Sequence, residues 1–172
     1  MGSLVQAQSW QKSRITVSGG WMRQLFGYDY ERQTAPVVGI SYGYSPLKFM
    51  ESEAGVHVAL QPGQELCYRF GCYVPDDRYF WVPFGVRFIA PLLAKRLELS
   101  LGGGGLYQKY SVSNPDNWFR DGWGGYLSGG TAVALDRRRR FWAGVTPRVI
   151  LANPKYVRNL WFTITGDLSF HF

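Results

Sequence analysis

The most constraining feature of the sequence is a strict alternation of apolar and polar side chains over residues 160–172. The even positions hold Leu160, Phe162, Ile164, Gly166, Leu168, Phe170 and Phe172. The odd positions hold Trp161, Thr163, Thr165, Asp167, Ser169 and His171. Neighbouring side chains of a β-strand point to opposite faces, whereas apolar positions in a helix recur about every 3.6 residues. The pattern therefore predicts a β-strand with one apolar face and one polar face.

Other segments of the chain alternate in the same way. They cover residues 13–24, 36–44, 48–60, 80–90, 97–109, 123–135 and 141–151. These lengths are near the ~9–11 residues that a tilted strand needs to cross a bilayer. No run approaches the ~18 consecutive apolar residues of a membrane-spanning helix. With residues 160–172, the sequence predicts an all-β chain of eight strands.

The connections between these segments alternate between long and short. Long polar loops follow the first, third and fifth segments, and the others are joined by short links at 45–47, 91–94 and 136–139. The last link, residues 152–155, is of modest length. Membrane β-barrels place short turns at one end and longer loops at the other, whereas a soluble sandwich has no reason to sort its loops. The connections therefore favour an up-and-down barrel.

The composition of the polar faces indicates which side of the strands meets the surroundings. These faces are rich in glycine, serine, threonine and alanine, and they lack the lysine- and glutamate-rich surface of a soluble protein. A soluble lipocalin-like barrel would turn its apolar face inward, and a membrane barrel turns it outward. We therefore predict an eight-stranded antiparallel transmembrane β-barrel over 13–172, with 1–12 as a leader remnant or tail.

Isolated charges lie on the predicted inner faces. They are Arg14, Glu51, Glu53, His57, Arg87, Glu98, Arg148 and Asp167. Eight strands leave an interior that side chains just fill, and unpaired charges there are costly. We expect a salt-bridged network without an open diffusion pore. The alternative is that Glu51, Glu53 and His57 form a catalytic or proton-relay cluster.

The outer face carries charges only near the predicted strand ends. Arg23, Lys48 and Lys109 lie where long side chains reach the headgroups. Arg23 and Lys109 fall at the predicted outer rim and could contact lipopolysaccharide. The run 137–140 contains four arginines and indicates a solvated turn, or contact with anionic lipid or another envelope polymer. The net charge is +7, but the other basic residues are scattered, so no nucleic-acid partner is predicted.

Two cysteines and the N-terminus bear on the compartment. Cys67 and Cys72 flank a short segment that contains Gly71, which favours a disulfide in an oxidising compartment. A metal pair is less favoured because no second Cys/His pair accompanies it, and no metal or cofactor is expected. Residues 5–7, Val-Gln-Ala, resemble the cleavage site of a signal peptide.

The final strand carries a family resemblance. Ile164, Leu168, Phe170 and Phe172 resemble the signal that the barrel-assembly machinery reads on client proteins. With the topology of 13–172, the chain resembles small outer-membrane β-barrels of the OmpA and opacity-protein type, which share a porin-like fold. The resemblance implies a bacterial outer membrane, both termini in the periplasm, and contact with outer-membrane lipids and lipopolysaccharide.

The expected function is a non-enzymatic structural or adhesion-like barrel whose loops meet an unknown extracellular partner. Aromatic residues enrich those loops and suit either recognition or the external girdle; they are Tyr28, Tyr30, Tyr68, Phe70, Tyr73, Trp118 and Phe119. Lipid-modifying enzymes also occur on this scaffold. For that alternative, His57 would have to lie near a serine and a carboxylate facing lipid. A soluble lipocalin-like ligand-binding barrel is the third alternative.

Overall fold

Eight long antiparallel strands form a closed barrel in the computed structural model, which describes residues 11–26, 34–62, 66–68, 71–73, 76–93, 96–111, 121–154 and 159–172. The barrel strands are β1 (Ser13–Phe26), β2 (Thr34–Leu47), β3 (Met50–Pro62), β6 (Asp76–Leu92), β7 (Leu97–Ser111), β8 (Gly122–Ala134), β9 (Phe141–Pro154) and β10 (Asn159–His171). A small hairpin, β4 (Leu66–Tyr68) and β5 (Gly71–Tyr73), is inserted between β3 and β6. The predicted eight-stranded all-β barrel is confirmed.

Each barrel strand pairs with the next one along the chain, and β10 pairs with β1 to close the cylinder. The pairing of β10 with β1 continues past His171 to Phe172. Ser13 and Phe172 exchange backbone hydrogen bonds of 3.0 and 2.9 Å. The chain termini of the barrel and the β2–β3, β6–β7 and β8–β9 turns lie at one end, called here the short-turn end. The opposite end, which carries the other connections, is called the long-loop end.

The β2–β3 turn lies later in the chain than the sequence predicts. Strand β2 continues through Pro46 to Leu47, and the turn is formed by Lys48 and Phe49. The β2–β3 register shifts between Tyr44 and Leu47. A proline is tolerated at such an irregularity because no ladder hydrogen bond is required of it. The strands are also longer than the ~9–11 residues of a minimal crossing, with 13 residues in β10 and 17 in β6.

The barrel carries its apolar side chains on the outside. On β9 the side chain of Arg148 is 8% exposed, whereas that of the next residue, Val149, is 40% exposed. On β7 Leu99 is exposed and Glu98 is half-buried. A lipocalin-like barrel would show the reverse arrangement. No helix within the described ranges is long and apolar enough to cross a membrane.

Candidate functional site

The barrel interior holds the predicted charged residues, and it is layered along the barrel axis. A charged layer lies near the short-turn end and consists of Arg14, Glu51, Glu53 and Arg87. An aromatic layer lies near the long-loop end and is centred on Tyr79, Trp81 and Trp161. His57, Tyr126 and Arg148 lie between the two layers. This order follows from strand register, because inward positions alternate along each strand and the barrel closes around them.

Ion pairs join the members of the charged layer. Arg14 donates a hydrogen bond through Nη2 to Oε1 of Glu51. Arg87 donates to Oε2 of Glu53, and its Nη2 lies 3.6 Å from Oε1 of Glu51. Arg14, Glu51 and Glu53 are buried, and burying a carboxylate is tolerable only when it is paired. The layer therefore links strands β1, β3 and β6 across the interior.

Tyr126 connects the charged layer to the middle of the barrel. Its hydroxyl donates a 2.9 Å hydrogen bond to Oε1 of Glu53. The guanidinium carbon of Arg148 lies 5.4 Å from the centroid of the Tyr126 ring, within the range of a cation–π contact. Nη1 of Arg148 is also 3.3 Å from Nε2 of His57. Because arginine has only donors, Nε2 of His57 accepts, which assigns the ring proton of a neutral His57 to Nδ1.

Glycines on β2 make room for these side chains. A Cβ at Gly39 would lie 2.3 Å from Nδ1 of His57, its register partner on β3. A Cβ at Gly43 would lie 2.5 Å from the carboxyl carbon of Glu51. Real Cβ atoms do not approach other heavy atoms so closely. The imidazole and the carboxylate therefore lie across the neighbouring strand only because β2 has no side chain there.

The remaining predicted interior charges have other surroundings. Asp167 accepts a 2.5 Å hydrogen bond from Oγ1 of Thr146. Glu98 is half-buried on β7, opposite Pro91 of β6 and Ala132 of β8. The structure thus joins Arg14, Glu51, Glu53 and Arg87 directly, and joins His57 and Arg148 to them through Tyr126.

The placement of His57 bears on the alternative of a lipid-modifying enzyme. His57 is buried inside the barrel against Arg148 and Gly39, not on the lipid-facing surface that this alternative requires. Within the described part of the chain, no group of three or more His, Cys, Asp and Glu residues could hold a metal ion.

The aromatic layer fills the interior next to the long-loop end. Trp161 lies 5.1 Å from Tyr79 and 6.0 Å from Trp81 between ring centroids. The indole Nε1 of Trp81 donates a 3.0 Å hydrogen bond to Oε1 of Gln108. Apolar side chains complete the layer; they are Met22, Ala35, Val37, Ala59, Leu106 and Ile150. Trp81 and Trp161 are at most 1% exposed, so solvent does not reach them.

A small cavity of about 10 Å³ lies between the two layers. Its lining includes His57, Arg148, Trp81 and Thr163. A volume of this size corresponds to roughly one water molecule. The side chains that line this cavity therefore leave little free space at this point between the layers.

The outer face carries the other predicted residues that the structure describes. Ile164, Leu168, Phe170 and Phe172, the predicted assembly signal, are all exposed on the outer side of β10 or directly after it. The rings of Phe170 and Phe141 lie 5.0 Å apart. Arg23 and Lys109 are exposed towards the long-loop end.

The predicted disulfide falls on the β4–β5 hairpin. Cys67 and Cys72 are register partners there, and directly opposed residues of antiparallel strands lie about 4.5–5.5 Å apart at Cα, which a disulfide can span. Their side chains lie outside the described residues, so the disulfide stays a prediction. Residues 1–10 and the loop aromatics Tyr28, Tyr30, Phe70, Trp118 and Phe119 lie outside them as well, as do the side chains of Tyr68 and Tyr73.

No family model matches the sequence, and no curated protein matches it. Solved structures do match over nearly the whole chain. Neisserial surface protein A (NspA) superposes with a TM-score of 0.68 at 11% identity, covering 93% of this chain and 97% of that one. The chain has the fold of the small outer-membrane β-barrels. The resemblance inferred from the sequence is thereby confirmed for the fold.

Two more structures share this small outer-membrane barrel fold. OprG from Pseudomonas aeruginosa has a TM-score of 0.58 at 12% identity, with 96% of this chain and 99% of that chain covered. Ail, the attachment invasion locus protein of Yersinia pestis, in complex with the heparin analogue sucrose octasulfate, has a TM-score of 0.57 at 12% identity, with 92% and 99% covered. At these identities the likeness concerns the fold.

Sequence reasoning missed the aromatic layer of this small outer-membrane barrel. Trp81, Trp161, Met22 and Ile150 lie on the inner faces, which were predicted to be small and polar. The signal was present, because these residues interrupt the polar face near the long-loop end of their strands. Reading the polar face along the barrel axis, strand by strand, would have found the layer.

Proposed function

We propose that this chain is an integral protein of a bacterial outer membrane, with a closed interior and a structural or surface-interaction role carried by its loops. In this proposal both termini face the periplasm and the long loops face outward. The observation that carries the proposal is the filling of the interior by a charged layer and an aromatic layer. An interior without a path for solutes leaves the outer surface and the loops as the parts that meet other molecules.

The outer surface supports a membrane location. Large apolar side chains are exposed on every barrel strand, among them Val17, Ile40, Phe84, Leu101, Leu127 and Leu168. Soluble monomers rarely expose contiguous apolar patches larger than a few hundred Å². A bilayer removes this cost because lipid tails are as apolar as the side chains.

The matched structures support a role at the cell surface. One is described as a surface protein, and another as an attachment protein in complex with a heparin analogue. Arg23 and Lys109 are exposed towards the long-loop end, where the phosphates of lipopolysaccharide would lie in the proposed orientation. Loop sequences set the partner on such a scaffold, and loops carry function more often than the strands that position them.

A conductance measurement tests the closed interior. The full chain is refolded, its heat-modifiable gel migration is checked, and it is inserted into a planar bilayer. We expect folded protein that inserts without stepwise ion currents. Discrete single-channel currents from the folded chain would contradict the closed interior, and failure to partition into detergent or bilayers would contradict the membrane location.

An adhesion assay tests the surface role. Bacteria that display the chain are compared with bacteria that display a variant in which residues 112–120 are replaced by a Gly-Ser linker of equal length. We expect the chain to increase attachment to host cells and the variant to lose that gain while keeping its heat-modifiable migration. Equal attachment by bacteria with and without the chain would remove the support for an adhesion-like role.

A further inference from the structure

The short-turn end carries a ring of basic residues, called here the basic collar. Its members are Lys12, Lys48, Arg96, Arg137, Arg138, Arg139 and Arg140. The backbone hydrogen bonds of these residues show that they lie at different positions around the rim. The carbonyl of Lys12 accepts from Ser45 at 2.7 Å, and that of Arg96 accepts from Ala134 at 2.9 Å. The carbonyl of Arg140 accepts from His171 at 2.8 Å. The cations thus occupy several sectors of the rim instead of one patch.

Exposed apolar side chains accompany the collar. Leu47 and Phe49 flank Lys48, and both are exposed. Leu135 and Phe141 flank the turn that contains the four arginines 137–140, called here the arginine turn, and both are exposed as well. Leu93, in the turn that carries Arg96, is 74% exposed. Cations within a few positions of outward-facing leucine and phenylalanine suit an interface where hydrocarbon meets headgroups.

Asp136, the acidic residue that precedes the four arginines, binds backbone amides of the same turn. The carboxylate of Asp136 accepts hydrogen bonds from the backbone nitrogens of Arg138, Arg140 and Phe141 at 3.1, 2.8 and 2.9 Å. These bonds shape the turn and aim the carboxylate at backbone amides. The four guanidinium groups outnumber this one carboxylate, so residues 136–140 carry a net charge of +3.

We propose that the basic collar binds the phosphate groups of anionic phospholipids in the leaflet at the short-turn end. This site differs from the proposed lipopolysaccharide contact of Arg23 and Lys109 at the opposite end, and it rests on the membrane location proposed above. The interleaving of cations with exposed apolar side chains favours a lipid headgroup over a soluble polyanion. The exposed leucine and phenylalanine side chains place these cations at the bilayer surface, where basic residues are attracted to anionic headgroups.

Lipid selectivity tests the proposal. The full chain is reconstituted in phosphatidylcholine bilayers with a trace of spin-labelled phosphatidylglycerol or phosphatidylcholine, and the motionally restricted fraction of each is measured. We expect several-fold selectivity for phosphatidylglycerol, which falls in 1 M salt because the Debye length shrinks to about 3 Å. The variant R137Q/R138Q, which neutralises two of the seven collar cations, should lose part of this selectivity, and R137K/R138K should keep it.

The matched control is R32Q/R120Q, which removes the same charge from two connections at the long-loop end. We expect it to retain most of the selectivity. Equal losses in the two neutralised variants, or a reference chain without selectivity, would overturn the proposal. Pelleting with peptidoglycan sacculi in the absence of lipid selectivity would overturn it in favour of a polymer. If the chain did not insert into the membrane, neither labelled lipid would show a motionally restricted fraction. This result is distinguishable from an inserted chain that lacks lipid selectivity.

Discussion

At the scale of single residues, the interior depends on partners that satisfy each buried charge. Glu53 accepts hydrogen bonds from Arg87 and Tyr126, so its carboxylate is held from two sides. Removing one member of a buried ion pair usually costs more than the pair contributes, because the remaining charge is left without compensation. The strength of the charged layer is thus measured best by breaking it at one position.

Glu53→Gln should therefore destabilise the barrel by about 3 kcal/mol, because Arg87 loses its closest carboxylate. Tyr126→Phe is the milder comparison, and it should cost about 1 kcal/mol for one hydrogen bond. Urea unfolding in lipid vesicles, followed by tryptophan fluorescence, measures both. An E53Q barrel as stable as the reference would show that the charged layer contributes nothing to stability.

Gly39→Ala should destabilise the barrel by about 1–3 kcal/mol, since the added methyl group must displace the His57 ring or the strand. Gly19→Ala is the matched control, because no atom lies within 4 Å of a Cβ at Gly19. We expect that control to be neutral or slightly stabilising. The double variant G39A/H57A should be more stable than the sum of its single changes predicts. Strict additivity would contradict the proposed clash.

At the scale of elements, the β8–β9 turn shows how one side chain organises a connection. The backbone N–H of Phe141, followed by that of Arg140, lowers the pKa of the Asp136 carboxyl below its ordinary value. A carboxyl whose folded pKa is lowered contributes stability above its unfolded pKa and loses it as the pH falls through the folded pKa. Arg139 has a positive φ of 57°, and its carbonyl accepts a 2.8 Å hydrogen bond from Nε1 of Trp142.

Asp136→Asn should lower the urea midpoint at neutral pH. The difference from the reference chain should shrink as the pH falls and should vanish where the native Asp136 is itself protonated. Midpoints at pH 7 and at about pH 2, well below an ordinary carboxyl pKa, give the comparison. A difference that is constant across this range would show that the charge of Asp136 has no role in the turn.

The elements also show where sequence reasoning succeeds and where it stops. Alternation is local, so the eight strands and their outward faces could be predicted from residues such as Leu168 and Asp167. The β2–β3 turn could not be placed, because Pro46 is accommodated by a register irregularity that depends on β3. The layers depend on register between strands, for example Trp81 opposite His57 on one side and Gln108 on the other. Such pairings are not visible in any single segment.

At the scale of the whole molecule, the barrel is closed by backbone groups at the ends of its strands. The nitrogen of Ser13 donates to the carbonyl of Phe172, and the nitrogen of Phe172 donates to the carbonyl of Ser13. The side chain of Phe172 is exposed on the outer face and takes no part in these bonds. The closure and the predicted assembly signal can therefore be separated by experiment.

Phe172→Ala keeps both closing hydrogen bonds and should refold in detergent as the reference chain does. A chain truncated after His171 loses both bonds and should be less stable by about 1–3 kcal/mol. In cells, F172A should reach the outer membrane in several-fold lower amounts if the side chain is the assembly signal. Heat-modifiable migration and membrane fractionation report the two effects. Normal membrane levels of F172A would remove Phe172 from the predicted signal.

The closing seam has a consequence for the order of events in biogenesis. The hydroxyls of Thr16 and Ser169 lie 2.8 Å apart although 153 residues separate them in sequence. Pairings of such long range form late and slowly, because the intervening chain must be ordered first. Until β10 arrives, β1 presents an unpaired edge beside an apolar surface, which is a template for aggregation. We therefore expect a chain without β10 to aggregate unless this surface is covered, and fragments ending before β10 should be sensitive to proteolysis.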